Sequence, residues 1–345
     1  KNNNTNNNNN NNKTICVVGA GLTGSLTAAF VRRELHGRPA QIVVCERASY
    51  PAGRFGAGLS VPQGQHAGPH VDAVWADIGA QVLSVVDADS EHPNAGADGH
   101  NIRATDTSAA WAEVKHLEAA GVLKRAAYDC LGDTEERMKY EGLWAHFWAP
   151  AGLTSLLARY LQEASPAEIH TNACVEKLQH CPATNKVWVI GKDFRFQADV
   201  VVLAVPAADA LQLIGEGDLL TSDAAYIMQN VEYDSRVCIA FAFDIALESA
   251  AAQYFGAQAE QTLDYDFLPA TPTGRHLHML CWQNAKRDSM VRSPVVITVH
   301  STCGASVEDT EAAAVEALAE AFQVSPTVLL ALLQDKKVVD WKTCQ

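Results

Sequence analysis

A glycine-rich turn between an apolar strand and a helix constrains the fold of this chain more than any other feature of its sequence. The run Thr14–Val18 is short and β-branched, and the turn GAGLTG follows it. Apolar residues then recur at helical spacing in SLTAAFVRREL, and a second apolar run, Gln41–Cys45, ends at Glu46. Together these segments predict one strand–helix–strand unit of about 30 residues, the opening unit of a parallel α/β domain that binds a dinucleotide.

Five of the six residues of the turn have a predicted role in holding that dinucleotide. Gly19 permits the tight turn, Gly21 lets a diphosphate approach the backbone, and Gly24 lets the helix pack closely on the strand. The helix N-terminus, at Leu22 and Thr23, directs N–H groups and a partial positive charge at the phosphates.

The residues after the second strand indicate which dinucleotide binds. Glu46 lies 22 residues after Gly24, where a carboxylate accepts hydrogen bonds from ribose hydroxyls and repels a 2′-phosphate. The continuation RASYPAGRF then brings the small-residue turn Ala52-Gly53 and the cation of Arg54 back toward the same diphosphate. This combination favours the longer, fully buried FAD over an exchangeable nicotinamide cofactor.

Charge, cysteine usage and histidine spacing argue against several classes of protein. The 26 basic and 40 acidic residues give a formal net charge of -14, which disfavours contact with nucleic acid. The nine cysteines are scattered and odd in number, without a CxxC pair, and predict thiols in a cytosol-like compartment rather than a disulfide framework. His66 and His70 lie in a Gly/Pro-rich stretch where no helix would align them, so no metal site is expected.

Two segments near the N-terminus could be mistaken for parts of the fold or for a targeting signal. Residues 1–12 form an Asn-rich low-complexity tail that has nothing to bury and is expected to be disordered. The uncharged run Ile15–Val31 contains the three turn glycines, so we interpret it as strand, turn and helix rather than a signal peptide. No other run approaches the ~20 apolar residues of a membrane span.

The remaining pattern predicts a nucleotide domain interrupted by a second, mixed domain. Polar, turn-forming residues fill 87–101, which is expected to be a surface loop. Helices are predicted over AAWAEVKHLEAAG with its stop at Gly121, over LTSLLARYLQEA, and over Asp309–Phe322 and Pro326–Leu333. Strands are predicted over Glu168–His170, Lys186–Ile190, Asp199–Val205, Arg236–Phe243, His276–Trp282 and Val295–His300, with Asp199–Val205 buried on both faces.

Several sequence blocks, taken in order, resemble the renalase family, flavoproteins of the wider amine-oxidase superfamily. The blocks are VVGAGLTGSLTAAFVRR, the AGR turn, ADIGAQ, FWAPAGLTSLLARYL, DVVVLAVPAADALQL, YDSRVCIAFAF and NAKR. The resemblance runs from about Lys13 to the C-terminus. It implies an α/β fold with a Rossmann-like FAD-binding domain of the amine oxidase and glutathione reductase type, at 13–80 and 150–206, and an α+β substrate domain with a mixed sheet, at 81–149 and 207–345.

The resemblance also implies roles for individual residues in binding FAD non-covalently. Gly19, Gly21 and Gly24 would line the phosphates, Glu46 the adenosine ribose and Arg54 the diphosphate. The flavin ring would meet Gly79, Ala80 and Gln81, and the backbone of Val175 would contact the adenine.

The activity implied by the resemblance is oxidation of dihydro isomers of NADH and NADPH to NAD(P)+. Hydride passes to the flavin, and O2 takes the electrons to give hydrogen peroxide. The sequence shows no convincing nucleophile and base pair, and this chemistry needs none, because a dihydropyridine becomes aromatic on losing hydride. The expected partners are therefore a small dinucleotide substrate and O2, with neither nucleic acid nor membrane.

Candidate substrate-cavity residues follow a late apolar strand. Trp282, Asn284 and Arg287 lie at its end, and Arg275, Lys286, Arg287 and Arg292 form a basic cluster that would attract the phosphates of a dinucleotide or, equally, form a solvated strand end. A flavin amine oxidase is the alternative function, with Trp144, Phe147, Trp148 and Trp282 as candidate aromatic walls, although large aromatics near strands are commonly core residues.

Renalases continue past the sequence position of Gln345 through a strand, a Gly-Asp turn and a flavin-contacting helix. Measured against that pattern, we expect this chain to lack the family's C-terminal FAD-contacting segment and to derive from a longer enzyme. A truncated, non-catalytic remnant is the second alternative. A cytoplasmic location is expected, with N-terminal targeting information left open because the chain begins with lysine.

Overall fold

The structure is a computed structural model that describes residues 12–51, 53–59, 74–86, 104–125, 144–215, 219–255, 265–266, 276–286 and 294–344. The chain divides into two compact units. The first unit comprises Lys1–Gly53 and Leu157–Glu232, and the second comprises Arg54–Leu156 and Tyr233–Gln345. These borders differ from the domains drawn on the sequence, since residues 54–80 belong to the second unit, and the domain assignment itself stays a prediction.

The described residues form both strands and helices. The strands are β1 (Lys13–Val18), β2 (Ala40–Cys45), β3 (Gly56–Leu59), β4 (Val74–Asp77), β5 (Leu83–Val86), β6 (Lys124–Arg125), β7 (Trp144–Trp148), β8 (Ala167–His170), β9 (Val175–Cys181), β10 (Lys186–Gly191), β11 (Arg195–Ala198), β12 (Val200–Leu203), β13 (Asp234–Phe243), β14 (Tyr265–Asp266), β15 (Leu277–Trp282), β16 (Val295–Ser301) and β17 (Leu333–Cys344). The α-helices are α1 (Leu22–Glu34), α2 (Ala104–Ala119), α3 (Thr154–Glu163), α4 (Ala207–Ile214), α5 (Ser222–Gln229), α6 (Glu248–Phe255), α7 (Val307–Ala321) and α8 (Pro326–Ala331). Short 3-10 turns cover Ile245–Leu247 and Gln283–Lys286.

The first unit is built on a parallel sheet with strand order β12-β1-β2-β8. The register pairs Val18 with both Cys45 and Leu203, so the carboxyl ends of β1, β2 and β12 meet at one edge. This confirms the predicted strand–helix–strand unit. The same unit contains an antiparallel sheet in the order β11-β10-β9, and the buried thiols of Cys16 and Cys45 lie in its core.

One prediction for the first unit is wrong. The apolar run at 199–205 was expected to form a strand buried on both faces, but β12 lies at the end of the described strand order and Val200 is 50% exposed. A continuous apolar run reports high β propensity, and it does not distinguish a central strand from an edge strand.

The second unit is built on a five-stranded sheet in the order β14-β15-β16-β13-β17, with antiparallel pairing throughout. One face carries large apolar residues such as Phe241 and Phe243, which pack with residues of α6, α7 and α8. The other face carries small residues, among them Ala240 and Ala242, against which Ala76 and Ile78 pack. Because these residues are small, the segment that contains Ala76 and Ile78 can pack closely against that face.

Strand β17 is the longest of the described elements that the sequence pattern missed. The helix predicted to Leu333 ends at Ala331, and the twelve residues LQDKKVVDWKTC pair with β13 instead. Charged residues such as Lys336, Lys337 and Asp340 interrupt the apolar alternation, and charges of this kind are typical of strands at sheet edges.

Smaller pieces complete the second unit, with β3 pairing β4 and β7 lying between β5 and β6. The mixture of parallel and antiparallel sheets with helices confirms the predicted α/β fold class. Within the described ranges, no helix is both long and apolar enough to cross a bilayer.

Candidate functional site

The glycine turn of the first unit is compact because Gly19 and Gly24 have no side chains. Gly19 has a φ of +96°, and a β-carbon there would lie 2.6 Å from the carbonyl oxygen of Ala204. Its N–H donates to the carbonyl of Cys45 at 2.8 Å, which ties the turn to the end of β2. A β-carbon at Gly24 would clash with the carbonyl oxygen of Gly19. The predicted tight turn and close helix–strand packing are both present.

Gly21 leaves an open approach to the start of α1. It occupies the N-cap position with extended backbone (φ -72°), no side chain caps the helix, and no acidic residue occupies its first turn. The predicted AGR turn meets it there, since a β-carbon at Gly53 would lie 2.9 Å from the α-carbon of Gly21. Two glycine backbones thus line a surface beside uncapped helix N–H groups, the environment that a phosphate requires.

Glu46 bonds to the turn with one carboxylate oxygen and to the backbone after β2 with the other. Its Oε2 accepts the N–H of Ala20 at 2.8 Å and its Oε1 accepts the N–H of Ala48 at 2.9 Å, while the residue is 8% exposed. Each oxygen retains a second lone pair, so the predicted bond to ribose stays chemically open and stays a prediction. The supporting contact with Ala20 was not anticipated from the sequence.

Val175 belongs to the same edge of the first unit. The N–H of Ala173 donates to the carbonyl of Glu46 at 2.8 Å, and β9 begins two residues later with Val175, which is buried. The structure therefore brings together Gly19, Gly21, Leu22, Thr23, Gly24, Glu46 and Val175 within one unit. The predicted backbone contact of Val175 with adenine stays a prediction.

The other predicted flavin-binding residues belong to the second unit. Arg54 donates through Nη1 to the carbonyl of Thr343 at 2.9 Å, and the carbonyl of Arg54 accepts the N–H of Ala80 at 3.2 Å. Gly79 is enclosed, because a β-carbon there would clash with the carbonyl of Arg54 and lie 2.5 Å from the Trp341 ring. The predicted contacts of Arg54 with diphosphate and of Gly79 and Ala80 with the flavin ring stay predictions.

A buried polar network holds Gln81. Asp77, Gln81, Gln283 and Lys286 are each at most 4% exposed. Lys286 Nζ contacts Asp77 Oδ2 at 2.9 Å, and Gln283 Nε2 donates to Gln81 Oε1 at 2.8 Å. Asp77 Oδ1 accepts the N–H of Leu153 at 3.0 Å, so the ADIGAQ, APAGL and NAKR blocks of the sequence meet at this network.

His300 approaches the same segment from β16. Its Nε2 lies 2.9 Å from the carbonyl of Ile78, so this nitrogen carries the proton and donates. Burial lowers the pKa of His300 to about 4, and the positive charges of Arg236 and Lys286 act in the same direction. The imidazole is therefore neutral near pH 7 and acts as a hydrogen-bond donor to the backbone.

The candidate substrate-cavity residues have packing roles in the structure. Trp282 stacks on Phe255 with ring centroids 6.0 Å apart, and its half-buried side chain packs against the core of the five-stranded sheet. Asn284 donates to the carbonyl of Pro294 at 2.9 Å and accepts the N–H of Val296 at 2.8 Å. Their predicted contact with substrate stays a prediction, and Arg287 lies outside the described residues.

The basic cluster expected around Lys286 requires a correction. Lys286 was interpreted as a loop cation that would attract substrate phosphates or face solvent, but it is 1% exposed and bound to Asp77. Its charge is therefore neutralised inside the unit. Arg275, Arg292, His66 and His70 lie outside the described residues.

Comparisons with known proteins place these observations in a family context. The family model of flavin containing amine oxidoreductases matches residues 90–342. Renalase from Mus musculus is 27% identical over 237 residues, which cover 68% of this chain and 59% of the renalase sequence. The chain thus matches less than two thirds of that relative's length.

Two solved structures resemble the fold. A putative protoporphyrinogen oxidase from Exiguobacterium sp. 255-15 superposes with a TM-score of 0.56 at 11% identity, covering 96% of this chain and 88% of the other. Cyclohexylamine oxidase from Brevibacterium oxydans IH-35A gives a TM-score of 0.51 at 12% identity, covering 96% of this chain and 85% of the other. At these identities the likeness concerns the fold.

Proposed function

Because this chain belongs to the flavin-containing amine oxidoreductases, we propose that it is an FAD-dependent oxidase of renalase type. When bound, FAD accepts hydride from a dihydro isomer of NADH or NADPH and passes the electrons to O2, so that substrate, O2 and a proton give NAD(P)+ and H2O2. The observation that carries the cofactor proposal is the paired backbone of Gly21 and Gly53 at the uncapped start of α1. This feature precedes the matched region 90–342 and supports the assignment independently.

The proposed role of the first unit is to bind the adenosine diphosphate part of FAD without a covalent bond. The N–H groups at Leu22 and Thr23 point out of the helix start and suit the phosphate oxygens. Glu46 keeps the N–H of Ala20 bound, which fixes the turn before ligand arrives. A fixed turn loses little conformational entropy on binding, so preformed geometry favours affinity.

The substrate proposal is supported by what the reaction does not require. Loss of hydride from a dihydropyridine restores aromaticity, so the chain needs to orient the substrate rather than supply a base. An amine substrate would instead favour exposed aromatic walls around a cation. Trp282 and Trp148 are engaged in packing, Trp282 on Phe255 and Trp148 against the Lys124 ammonium, which favours the dinucleotide.

Amine oxidation is the second candidate, because the matched family is described by that chemistry. The two candidate functions differ in the substrate that reduces the flavin. A purified protein that is reduced by cyclohexylamine or benzylamine and not by α-NADH would replace the first proposal with the second.

The direct test is the visible spectrum of the purified chain, before and after anaerobic addition of α-NADH. We expect a flavin band near about 450 nm that α-NADH bleaches and that air restores with release of peroxide. A protein that takes up no flavin after incubation with excess FAD contradicts the proposal and supports a non-catalytic remnant.

The variant Gly21→Ala tests the cofactor cradle without disturbing the fold. A β-carbon at Gly21 would lie 3.7 Å from Gly53, an ordinary contact, and the extended backbone accepts alanine. The methyl group would occupy the approach of the diphosphate, so we expect FAD affinity to fall at least about tenfold. The control is Gly37→Ala after α1. The added methyl meets open space, and the backbone there (φ +79°) strains an alanine, so this variant loses some stability while its FAD affinity should stay unchanged.

A cytosolic location is part of the same proposal. The scattered cysteines support it, since disulfides are rare in that compartment. Cell fractionation of the full-length product tests it, and recovery with a membrane or secreted fraction would contradict it.

A further inference from the structure

The ion pair of Asp77 and Lys286 has no assigned purpose in the proposed reaction. Both side chains are 1% exposed, their charged atoms lie 2.9 Å apart, and 209 residues separate them along the chain. Removing two charges from water carries a large desolvation cost, and well-packed apolar residues often replace such pairs without loss of stability. A buried pair therefore calls for an explanation beyond stability.

The bonds of Lys286 are all directed at the two ends of one short segment, Asp77–Gln81. An ammonium group has three donors. Besides Asp77 Oδ2, Lys286 Nζ contacts the Gln81 carbonyl at 3.0 Å and Gln81 Oε1 at 3.1 Å. Gln81 Nε2 in turn donates to the carbonyls of Asp77 and Gly79.

Further side chains hold the start and the middle of the segment. Gln283 Oε1 accepts the N–H of Asp77 at 3.0 Å, and His300 donates to the carbonyl of Ile78 at 2.9 Å. The Trp341 ring encloses Gly79. Residues from β15 with its following turn, from β16 and from β17 thus fix five consecutive residues.

Within this segment, Ala80 is exposed and its neighbours are buried. The network therefore holds the segment through its buried residues and leaves a small exposed surface at Ala80. Such a surface suits a planar ring, because no side chain has to be ordered or moved aside when the ring arrives.

We propose that Asp77 and Lys286 are positioning residues that hold Gly79, Ala80 and Gln81 as a preformed backbone surface for the isoalloxazine ring of the flavin. This inference rests on the proposed function. Neither side chain touches the reacting atoms; both act through the backbone that they fix. The competing explanation is that the pair only stabilises the second unit.

The test separates the effect of the pair's charges on stability from the effect of its hydrogen bonds on the position of the segment. Lys286→Met leaves a buried carboxylate without its cation and is expected to lower the melting temperature. Asp77→Asn/Lys286→Met removes both charges, keeps an oxygen for the Leu153 N–H, and should recover the melting temperature. The matched control, Lys336→Met, breaks the exposed ion pair with Glu311 in the same unit.

Each protein is titrated with FAD and with ADP, which carries the nucleotide without the ring. In the double variant we expect FAD affinity to fall about tenfold, equivalent to about 1.4 kcal/mol, with ADP affinity unchanged. The visible circular dichroism of bound FAD should also change, because the surface at the ring has moved. Lys336→Met should match the parent protein in all three measurements.

The outcomes are distinct. A folded double variant that binds FAD as the parent does, with an unchanged flavin spectrum, overturns the positioning role and leaves the proposed function intact. Equal losses for ADP and FAD also overturn it, since the effect would not concern the ring. A parent protein that binds no FAD overturns the proposed function and this inference together.

Discussion

In the first unit, the turn Gly19–Gly24 is held through its own backbone N–H groups, which donate to the Cys45 carbonyl and to the Glu46 carboxylate, and its close packing depends on missing side chains. In the second unit, the segment Asp77–Gln81 is held by buried side chains, among them a complete ion pair. Both segments are predicted to meet the same cofactor. The hydrogen bonds described for the first segment reach partners 26 residues away, whereas the second depends on partners more than 200 residues away.

This difference determines how each segment fails. A backbone-held turn is damaged by added atoms, and a side-chain-held segment is damaged by removed atoms or altered charge. Loss of a partner leaves a buried charge or donor unpaired, which costs more than the bond itself contributed. We therefore expect the larger single-residue effects on stability in the second unit.

The largest effect is expected for Lys286→Met. The Asp77 carboxylate would remain 1% exposed without its cation, and breaking a buried pair from one side costs about 3–5 kcal/mol. Urea denaturation of the variant and the parent measures the difference. A loss below about 1 kcal/mol would mean that the buried pair contributes no more than an exposed ion pair, and would contradict the expected difference in stability effects between the units.

A loss of stability in mild acid is the next largest effect. The pKa of His300 is about 4 in the folded protein, against 6.5 for a free imidazole. Because the folded pKa is depressed, the unfolded chain binds more protons between these values, and the contribution is complete above pH 6.5 and lost as the pH falls toward 4. The expected loss is about 3 kcal/mol.

Unfolding at a series of pH values checks this, with His300→Asn as the control. Asparagine does not titrate, so the stability of the variant should vary less than that of the parent over this range. In the first unit, the N–H of Thr14 and the ammonium of Lys13 lower the pKa of Asp199 below 3.8, so its contribution is lost only in stronger acid. Parallel pH profiles for His300→Asn and the parent would contradict the assignment.

Gly24→Ala tests the first unit by addition. The new methyl group would clash with the carbonyl of Gly19, and overpacking of this kind costs about 1–3 kcal/mol. Gly21→Ala, three residues earlier, meets only an ordinary contact and should change the unfolding free energy by less than about 0.5 kcal/mol. Equal effects of the two variants on urea denaturation would show that the turn is not sterically constrained.

The smallest effect is expected for Lys336→Met. Its ion pair with Glu311 has side chains that are 37% and 32% exposed, so solvent screens the attraction. Exposed pairs contribute about 0–1 kcal/mol, and thermal unfolding should barely distinguish this variant from the parent. A large loss of stability would show that the difference in exposure between this pair and the Lys286–Asp77 pair does not determine how much each contributes.

The first unit could be predicted from the sequence because its determinants are close together. The turn glycines, α1 and Glu46 occupy fewer than 30 residues, and each residue type has one stereochemical reason to be there. The role of Glu46 in holding Ala20 escaped prediction because motif reasoning assigned its carboxylate to a ligand.

The second unit could be predicted only in outline. Its strands follow apolar runs, but nothing in NAKR indicates that Lys286 is buried, because its partner Asp77 lies in a distant block. The enclosure of Gly79 depends on Trp341, which projects from β17, a charged strand without clear alternation. Pairings of this range are set by tertiary packing rather than by local pattern.

Each unit contains buried cysteines whose reaction with a thiol reagent can report when that unit opens. Cys16 and Cys45 lie in the core of the first unit, and Cys238 and Cys281 lie in strands of the second. The hydrogen bond with Cys45 and burial raise the pKa of Cys16, which disfavours its reactive thiolate in the folded protein. The order in which these thiols become available to an alkylating reagent would therefore record which unit opens first, in the unmodified protein.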